Sequence, residues 1–304
     1  MTQPELRRVH RFWDVEACGT HLVRAQSGTR AFLDSYTRHR FETMWWIREA
    51  IPFEAASGKD VLEIGCGNGV DGIVFAQQGS HYTGVDLTET AVAAARRHFD
   101  MMGLDGTFQT ENAEKLSFGD ESFDIVYSFG VIHHTPSPLH AIDEVFRVLR
   151  PGGLAIVMLY HRHSFNYYVR IMGFMRAKVV LRILSRIGHW REDRATLALD
   201  QMVELRGNRD RRVWNAHYSG FLEQGWRYLG AGSFIHHSTD GPSCPVAYTF
   251  TRHEAMDAFA AFSRVDTKVA HLPFGQYTRG WFPRRFERQL ASRLGWYLVV
   301  FARK

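Results

Sequence analysis

Gly65, Gly67 and Gly69 alternate with other residues directly after the apolar run Val61-Leu62-Glu63-Ile64. Glycines at that spacing let a backbone turn sharply and approach a ligand with no Cβ in the way. A helix predicted over Val70 to Gln78 then offers free N–H groups and the positive end of its dipole. Asp86 closes a second predicted strand, His81 to Asp86, where a carboxylate can accept from both hydroxyls of a ribose. Loop and acid together specify a nucleoside-containing cofactor. Gly67-Asn68-Gly69-Val70-Asp71-Gly72 also satisfies the dinucleotide pattern, so at this level the cofactor is not yet decided.

The elements that must position these groups follow from the apolar rhythm. Thr88 is predicted to cap an alanine-rich helix running to about Met102. A third strand is expected over Gly106 to Glu111 and a fourth over Phe123 to Ser128. After a helix from Leu139 to Leu149, Pro151-Gly152-Gly153 should turn the chain into a fifth strand, Leu154 to Tyr160. Strands alternating with helices imply βαβ units and a mainly parallel sheet buried on both faces. Beyond Tyr160 the rhythm breaks, and residues 161–247 are rich in Arg, His and aromatics. A helix capped by Thr251 and strands over Val265 to His271 and Trp296 to Phe301 then complete the sheet. The predicted class is α/β: a Rossmann-like, mainly parallel seven-stranded sheet with helices on both faces. A mostly helical cap is expected from the N-terminal segment and from an insertion after the fifth strand. The expected division is 1–57 arm, 58–160 cofactor-binding core, 161–247 cap, and 248–304 return to the sheet.

Composition narrows the class further. With 304 residues and 45% hydrophobic content, disorder and fibrous repeats are excluded. Cys18, Cys66 and Cys244 form no CxxC pair, which argues against a disulfide framework or a thiolate zinc site. A polar start and no run of about 18 apolar residues predict a soluble, cytoplasmic protein. The charge is uneven: residues 1–58 carry a net +1, 59–158 a net −8 and 159–304 a net +12. A basic part can serve nucleic acid, an anionic membrane or an anionic small substrate.

Residues 58–160 resemble the class I S-adenosylmethionine-dependent methyltransferases, in the ubiquinone/menaquinone-methyltransferase-like branch. The blocks that carry the resemblance are Val61 to Gly69, Gly84-Val85-Asp86 and Asn112-Ala113-Glu114, in that order. Phe123 to Val126 with Val131-Ile132-His133-His134, and Val145 to Gly153, follow. The resemblance implies that the loop of Glu63, Gly65, Cys66, Gly67, Asn68 and Gly69 holds the methionine part of S-adenosylmethionine, and Asp86 its ribose. Asn112 and Ala113 would contact adenine; many relatives carry Asp at the Asn112 position. Leu87 would cover one adenine face or pack in the core, and Cys66 would fill space.

Methyl transfer from a sulfonium is an in-line displacement that mainly needs alignment, worth about 7–11 kcal/mol when reacting atoms are held near contact. The C-terminal end of the fourth strand, Ser128 to His134, should face the methyl group, with Ser128 counted among the cofactor-binding residues. His133 and His134 are the base or acceptor-orienting candidates, with a loop-supporting role as the alternative, and Tyr160 should lie nearby. The adenine-methyltransferase Asn-Pro-Pro-Tyr motif is absent here, which counts against a flipped base. No spacing among the 16 histidines defines a metal site, and none is expected.

In the insertion, Lys178, Arg182 and Arg186 recur every four residues and would line one helix face. That face could be solvated, could attract an anionic acceptor, or could lie on a membrane, with packing of a lid favoured. Trp214, Tyr218, Phe221, Trp226 and Tyr228 would wall an acceptor or form the cap's own core. Phe12-Trp13 and Cys18-Gly19-Thr20 are candidates for an arm closing over the cofactor. The expected activity is methyl transfer to an O, N or C atom of a small-molecule acceptor, anionic or aromatic. The alternatives are an RNA or protein methyltransferase docking through the basic part, a cofactor sensor, and a nicotinamide enzyme. Nucleic acid and membrane partners are not favoured, and a homodimer is left open.

Overall fold

The computed structural model describes residues 3–15, 23, 25, 26, 28–190, 209–241, 244–272 and 283–304. The chain divides into two compact units, Met1–Ser164 with Thr249–Lys304, and Phe165–Tyr248.

The first unit is built on one sheet with strands β1 (Asp60–Ile64), β2 (His81–Asp86), β3 (Thr107–Thr110), β4 (Phe123–Phe129), β5 (Leu149–His161), β6 (Thr249–Phe250), β7 (Arg264–Ala270) and β8 (Tyr297–Arg303). Their order is β3-β2-β1-β4-β5-β8-β7, with β6 beside β5. Strands β1 to β5 pair in parallel, and β8 runs antiparallel between β5 and β7. The order reverses at β1, which pairs β2 on one side and β4 on the other, so ligands belong beyond the carboxyl ends of these strands.

The sheet has eight strands, not seven, because Thr249–Phe250 pairs with Tyr160–His161. Strand β5 also starts earlier than its apolar run. Pro151-Gly152-Gly153 reads locally as a turn, but Gly152 N–H donates to the Lys304 carbonyl and Lys304 N–H to that of Gly153 (2.9 and 3.1 Å). Those bonds draw the segment into the sheet. Between His271 and Trp296 the pattern predicts no element, yet a helix occupies Arg284–Leu294.

Helices α1 (Gln3–Val15), α2 (Arg30–Thr43), α3 (Val70–Gln77), α4 (Glu89–Met102) and α5 (Pro138–Val148) belong to this unit. Thr88 caps α4 by accepting from Ala91 N–H, and Gly103 ends it in the left-handed region. Leu62, Ile64, Val126, Val145, Val148, Val157, Leu298 and Val300 share one buried core.

The second unit is helical. A π-helical turn, Asn166–Met175, runs into α6 (Arg176–Ser185), and α7 (Arg209–Gln224) packs beside α6. Tyr218, Phe221 and Tyr228 are buried there and form part of the unit's own core, whereas Trp214 is half-buried and Trp226 exposed. The cations of the basic stripe are engaged inside the unit. Lys178 lies over the Trp214 ring at 5.3 Å, Arg182 donates to Asn215 at 3.4 Å, and Arg186 lies over Tyr218 at 5.9 Å. Among the described residues, no helix is long and apolar enough to cross a membrane.

Candidate active site

The glycine loop begins where β1 ends. Gly65 adopts φ +78°, and a Cβ there would lie 2.1 Å from Val131 Cγ2, so only glycine lets the loop touch the segment after β4. Gly67, at φ +53°, faces open space, and its N–H donates to Asp86 Oδ2 at 3.1 Å. Between them Cys66 is buried, and burial with Asp86 and Glu63 nearby pushes its thiol well up. A protonated thiol is a poor nucleophile.

Asp86 Oδ1 accepts from the N–H and the hydroxyl of Thr88, both at 3.0 Å. Burial raises its pKa, while the bonds from Thr88 and Gly67 oppose the shift. The carboxylate therefore ties β2 to the loop and sits half-buried at its rim, with Leu87, also half-buried, beside it. Asn112 Oδ1 accepts from Glu114 N–H at 3.0 Å, turning its own loop, and Ala113 is buried next to it. Glu114 in turn accepts from Ser137 N–H at 2.6 Å. Ser128 is fully buried, and its hydroxyl donates to the Ile64 carbonyl at 3.0 Å, bracing β4 against β1 one residue before Gly65.

Two buried polar groups adjoin the loop: one joins Glu63, named from the sequence as part of the loop, to partners that the sequence pattern does not signal, and the other is His98. Glu63 accepts from Tyr82 Oη at 2.5 Å, and burial together with Asp71 pushes its pKa well up. Asp71 on α3 receives a two-pronged contact from Arg40 of α2, with Nε to Oδ1 at 2.6 Å and Nη2 on Oδ2. The Tyr127 hydroxyl donates to Asp71 Oδ2 at 2.7 Å. Burial alone would lower the Arg40 guanidinium, but Asp71 overrides it and holds it well above its ordinary value. His98 is the other omission. Its Nδ1–H donates to the Asn68 carbonyl at 2.7 Å, its ring stacks on Phe32, and burial lowers its pKa so that it stays neutral. The signal for His98 was available: it lies three residues after Ala95 on the face of α4 that buries Val92, Ala95 and Phe99.

We expect His98→Ala to weaken cofactor binding several-fold, since the Asn68 carbonyl loses a donor of roughly 1 kcal/mol. His98→Asn should restore part of the loss. Calorimetric affinities of the two variants check this, and equal affinity in His98→Ala would detach the histidine from the loop.

The segment after β4 carries the imidazoles. Ile132–His134 forms a single tight turn following Gly130 at φ +80°. Here the structure brings together the three residues proposed for chemistry. The His133 and Tyr160 rings lie 4.0 Å apart, His133 and His134 4.5 Å, and His134 and Tyr160 5.4 Å. Tyr160 stacks on Trp296 at 4.4 Å, and Trp13 of α1 meets His134 edge-on at 5.0 Å. Phe12 is buried beside Trp13, whereas Cys18-Gly19-Thr20 lie outside the described residues. Val131, which abuts Gly65, is two residues from His133, so glycine loop and imidazole pair adjoin.

A family model described as a methyltransferase domain matches residues 62–157. A ubiquinone biosynthesis O-methyltransferase of Stutzerimonas stutzeri (strain A1501) is 30% identical over 177 residues, 54% of this chain and 73% of the relative. The chain belongs to the class I S-adenosylmethionine-dependent methyltransferases, on the ubiquinone/menaquinone-methyltransferase-like branch. Another relative of the same description, from Pseudomonas entomophila (strain L48), is 32% identical over 145 residues, 47% of this chain. The chain spans 60% of that relative's length, and 66% of one from Psychrobacter arcticus. A chain of the solved complex between the Haloferax volcanii Trm112 methyltransferase activator and a methyltransferase shares the fold. There the TM-score is 0.51 with 16% identity, over 97% of both chains.

The family's cofactor is S-adenosylmethionine, and the methyltransferase loop fits it. Gly67 leaves open space that a side chain would otherwise enter, and Asp86 stands at the rim with acceptor oxygens.

Proposed function

We propose that this protein transfers the methyl group of S-adenosylmethionine to a hydroxyl oxygen of a small-molecule acceptor in the cytoplasm. The observation that carries the reading is the adjacency of the glycine loop to the His133–His134 turn through Gly65 and Val131. When bound, the cofactor supplies an electrophilic methyl group on a positively charged sulfur. The loop from Glu63 to Gly69 receives its methionine part and Asp86 its ribose hydroxyls. Asn112 and Ala113 border the adenine, with Leu87 against one face. An oxygen acceptor must shed a proton as it attacks the methyl carbon, with S-adenosylhomocysteine leaving, and the imidazole of His133 or His134 takes that proton, contributing roughly 10²–10⁴-fold. Tyr160 fixes the His133 ring by contact. Oxygen is favoured as the acceptor atom because the relatives are named O-methyltransferases of ubiquinone biosynthesis. The same names favour a small molecule over RNA or protein.

The test is label transfer from methyl-labelled S-adenosylmethionine to a panel of catechols and phenols, with bulk RNA and a protein extract alongside. Label is expected in a small phenolic product. Label recovered only in RNA or protein would overturn the reading.

A further inference from the structure

Among the described residues, His271 is one of two non-glycine residues with a left-handed backbone, at φ +68°. The other, Glu121 at +53°, sits in an exposed turn. A bulky side chain stays in that region only where its surroundings fix it. Here the His271 carbonyl accepts from Trp296 N–H at 2.9 Å, directly after Ala270 has passed hard against Gly295. A Cβ on Gly295 would stand 2.2 Å from the Ala270 carbonyl oxygen.

The left-handed turn places a ring where a regular strand would not. Ala270, Tyr297 and Tyr160 stand at one level of the sheet, paired across β7, β8 and β5. Paired residues share a face, and the next residue along a strand points to the other. In a regular continuation of β7, His271 would therefore turn away from Tyr297. Instead its ring stacks on Tyr297, with centroids 4.5 Å apart and planes 9° from parallel. Tyr297 lies 6.2 Å from Tyr160 at 15°, and Tyr160 lies 4.0 Å from His133. Trp296 also covers Tyr160, at 4.4 Å. The strained residue thus begins a pile of rings that ends on an imidazole of the candidate active site.

We propose that His271 is a positioning residue for methyl transfer: through Tyr297 and Tyr160, its ring holds the His133 imidazole in place. This rests on the reading that the histidine pair takes the acceptor's proton. The left-handed backbone costs stability and is retained because it aims the ring.

Three substitutions separate ring from backbone. His271→Gly adopts the positive φ freely and His271→Asn tolerates it, and neither carries a ring. His271→Phe keeps a ring that can stack but suits the positive φ less well than histidine does. In the first two, kcat should fall about tenfold, within the roughly 10²-fold that a misplacement of about 1 Å can cost. Acceptor KM and S-adenosylmethionine affinity should hold. His271→Phe should keep most of the wild-type kcat although it melts at the lowest temperature of the set. Activity would then run against thermal stability, whereas a residue that only packs would lose both together. The NMR signal of the His133 ring, assigned by its loss in His133→Ala, reports the positioning with no acceptor present. It should shift in His271→Gly and His271→Asn, and return toward the wild-type position in His271→Phe. A signal unmoved in the two variants without the ring overturns the proposal, and so does a kcat that follows the melting temperature. The signal is read without methyl transfer, so failure of the ring stack is distinct from failure of the proton-transfer reading. That second failure would appear instead as full activity in both His133→Ala and His134→Ala.

Discussion

Arg40→Met is expected to lower the free energy of unfolding by about 3–5 kcal/mol, the largest effect of any single substitution near the site. The guanidinium is 14% exposed and the Asp71 carboxylate 4%, so removing one partner strands a charge with little access to water. Tyr127 still donates to Asp71, but a single neutral hydroxyl does not replace a two-pronged cation. The loss should also reach the glycine loop, because Asp71 sits in the first turn of α3, two residues after Gly69. Chemical denaturation of wild type and variant measures the effect. Adding Asp71→Asn should recover most of it, since the amide can still accept from Tyr127 without leaving an unpaired charge. A loss below about 1 kcal/mol would mean that the pair is solvated in practice, like an ordinary surface ion pair.

His133→Ala and His134→Ala are expected to reduce turnover far more than cofactor affinity. Removal of a general base costs roughly 10²–10⁴-fold in rate, and the residue that takes the proton should show a loss of that size. The partner imidazole, which packs against it at 4.5 Å, should show a smaller loss through displaced geometry. Tyr160→Phe separates the two roles of the tyrosine. It keeps the ring contact with His133 and the stack on Trp296, so activity near that of wild type would assign the tyrosine to packing. Full activity in both alanine variants would remove the pair from the chemistry.

The features of this site that follow local spacing were legible without coordinates. Strand, glycine turn and Asp86 lie within 27 residues of one another, and each step is a short-range preference: apolar run, positive φ, strand-end acid. The caps at Thr88 and Thr251 were legible for the same reason, with Thr251 forming a full capping box with Glu254. What escaped depends on residues distant in sequence. Arg40 and Asp71 are 31 positions apart and meet only in the folded unit, where α2 lies beside α4, and no periodicity signals that. Strand β6 has two residues, too few for alternation to register. The start of β5 depends on Lys304, some 150 residues downstream of Gly152. Likewise the charges of Lys178, Arg182 and Arg186 look the same on a solvated face as against the aromatics of α7.

The central claim is that the loop from Gly65 to Gly69 with Asp86 holds S-adenosylmethionine, and titration calorimetry tests it most directly. Wild type should bind S-adenosylmethionine and S-adenosylhomocysteine in preference to NAD. Asp86→Ala should weaken both adenosyl ligands by about 1–3 kcal/mol, the cost of losing a hydrogen-bonded charged partner. Preference for NAD, or unchanged affinity in Asp86→Ala, would contradict the account.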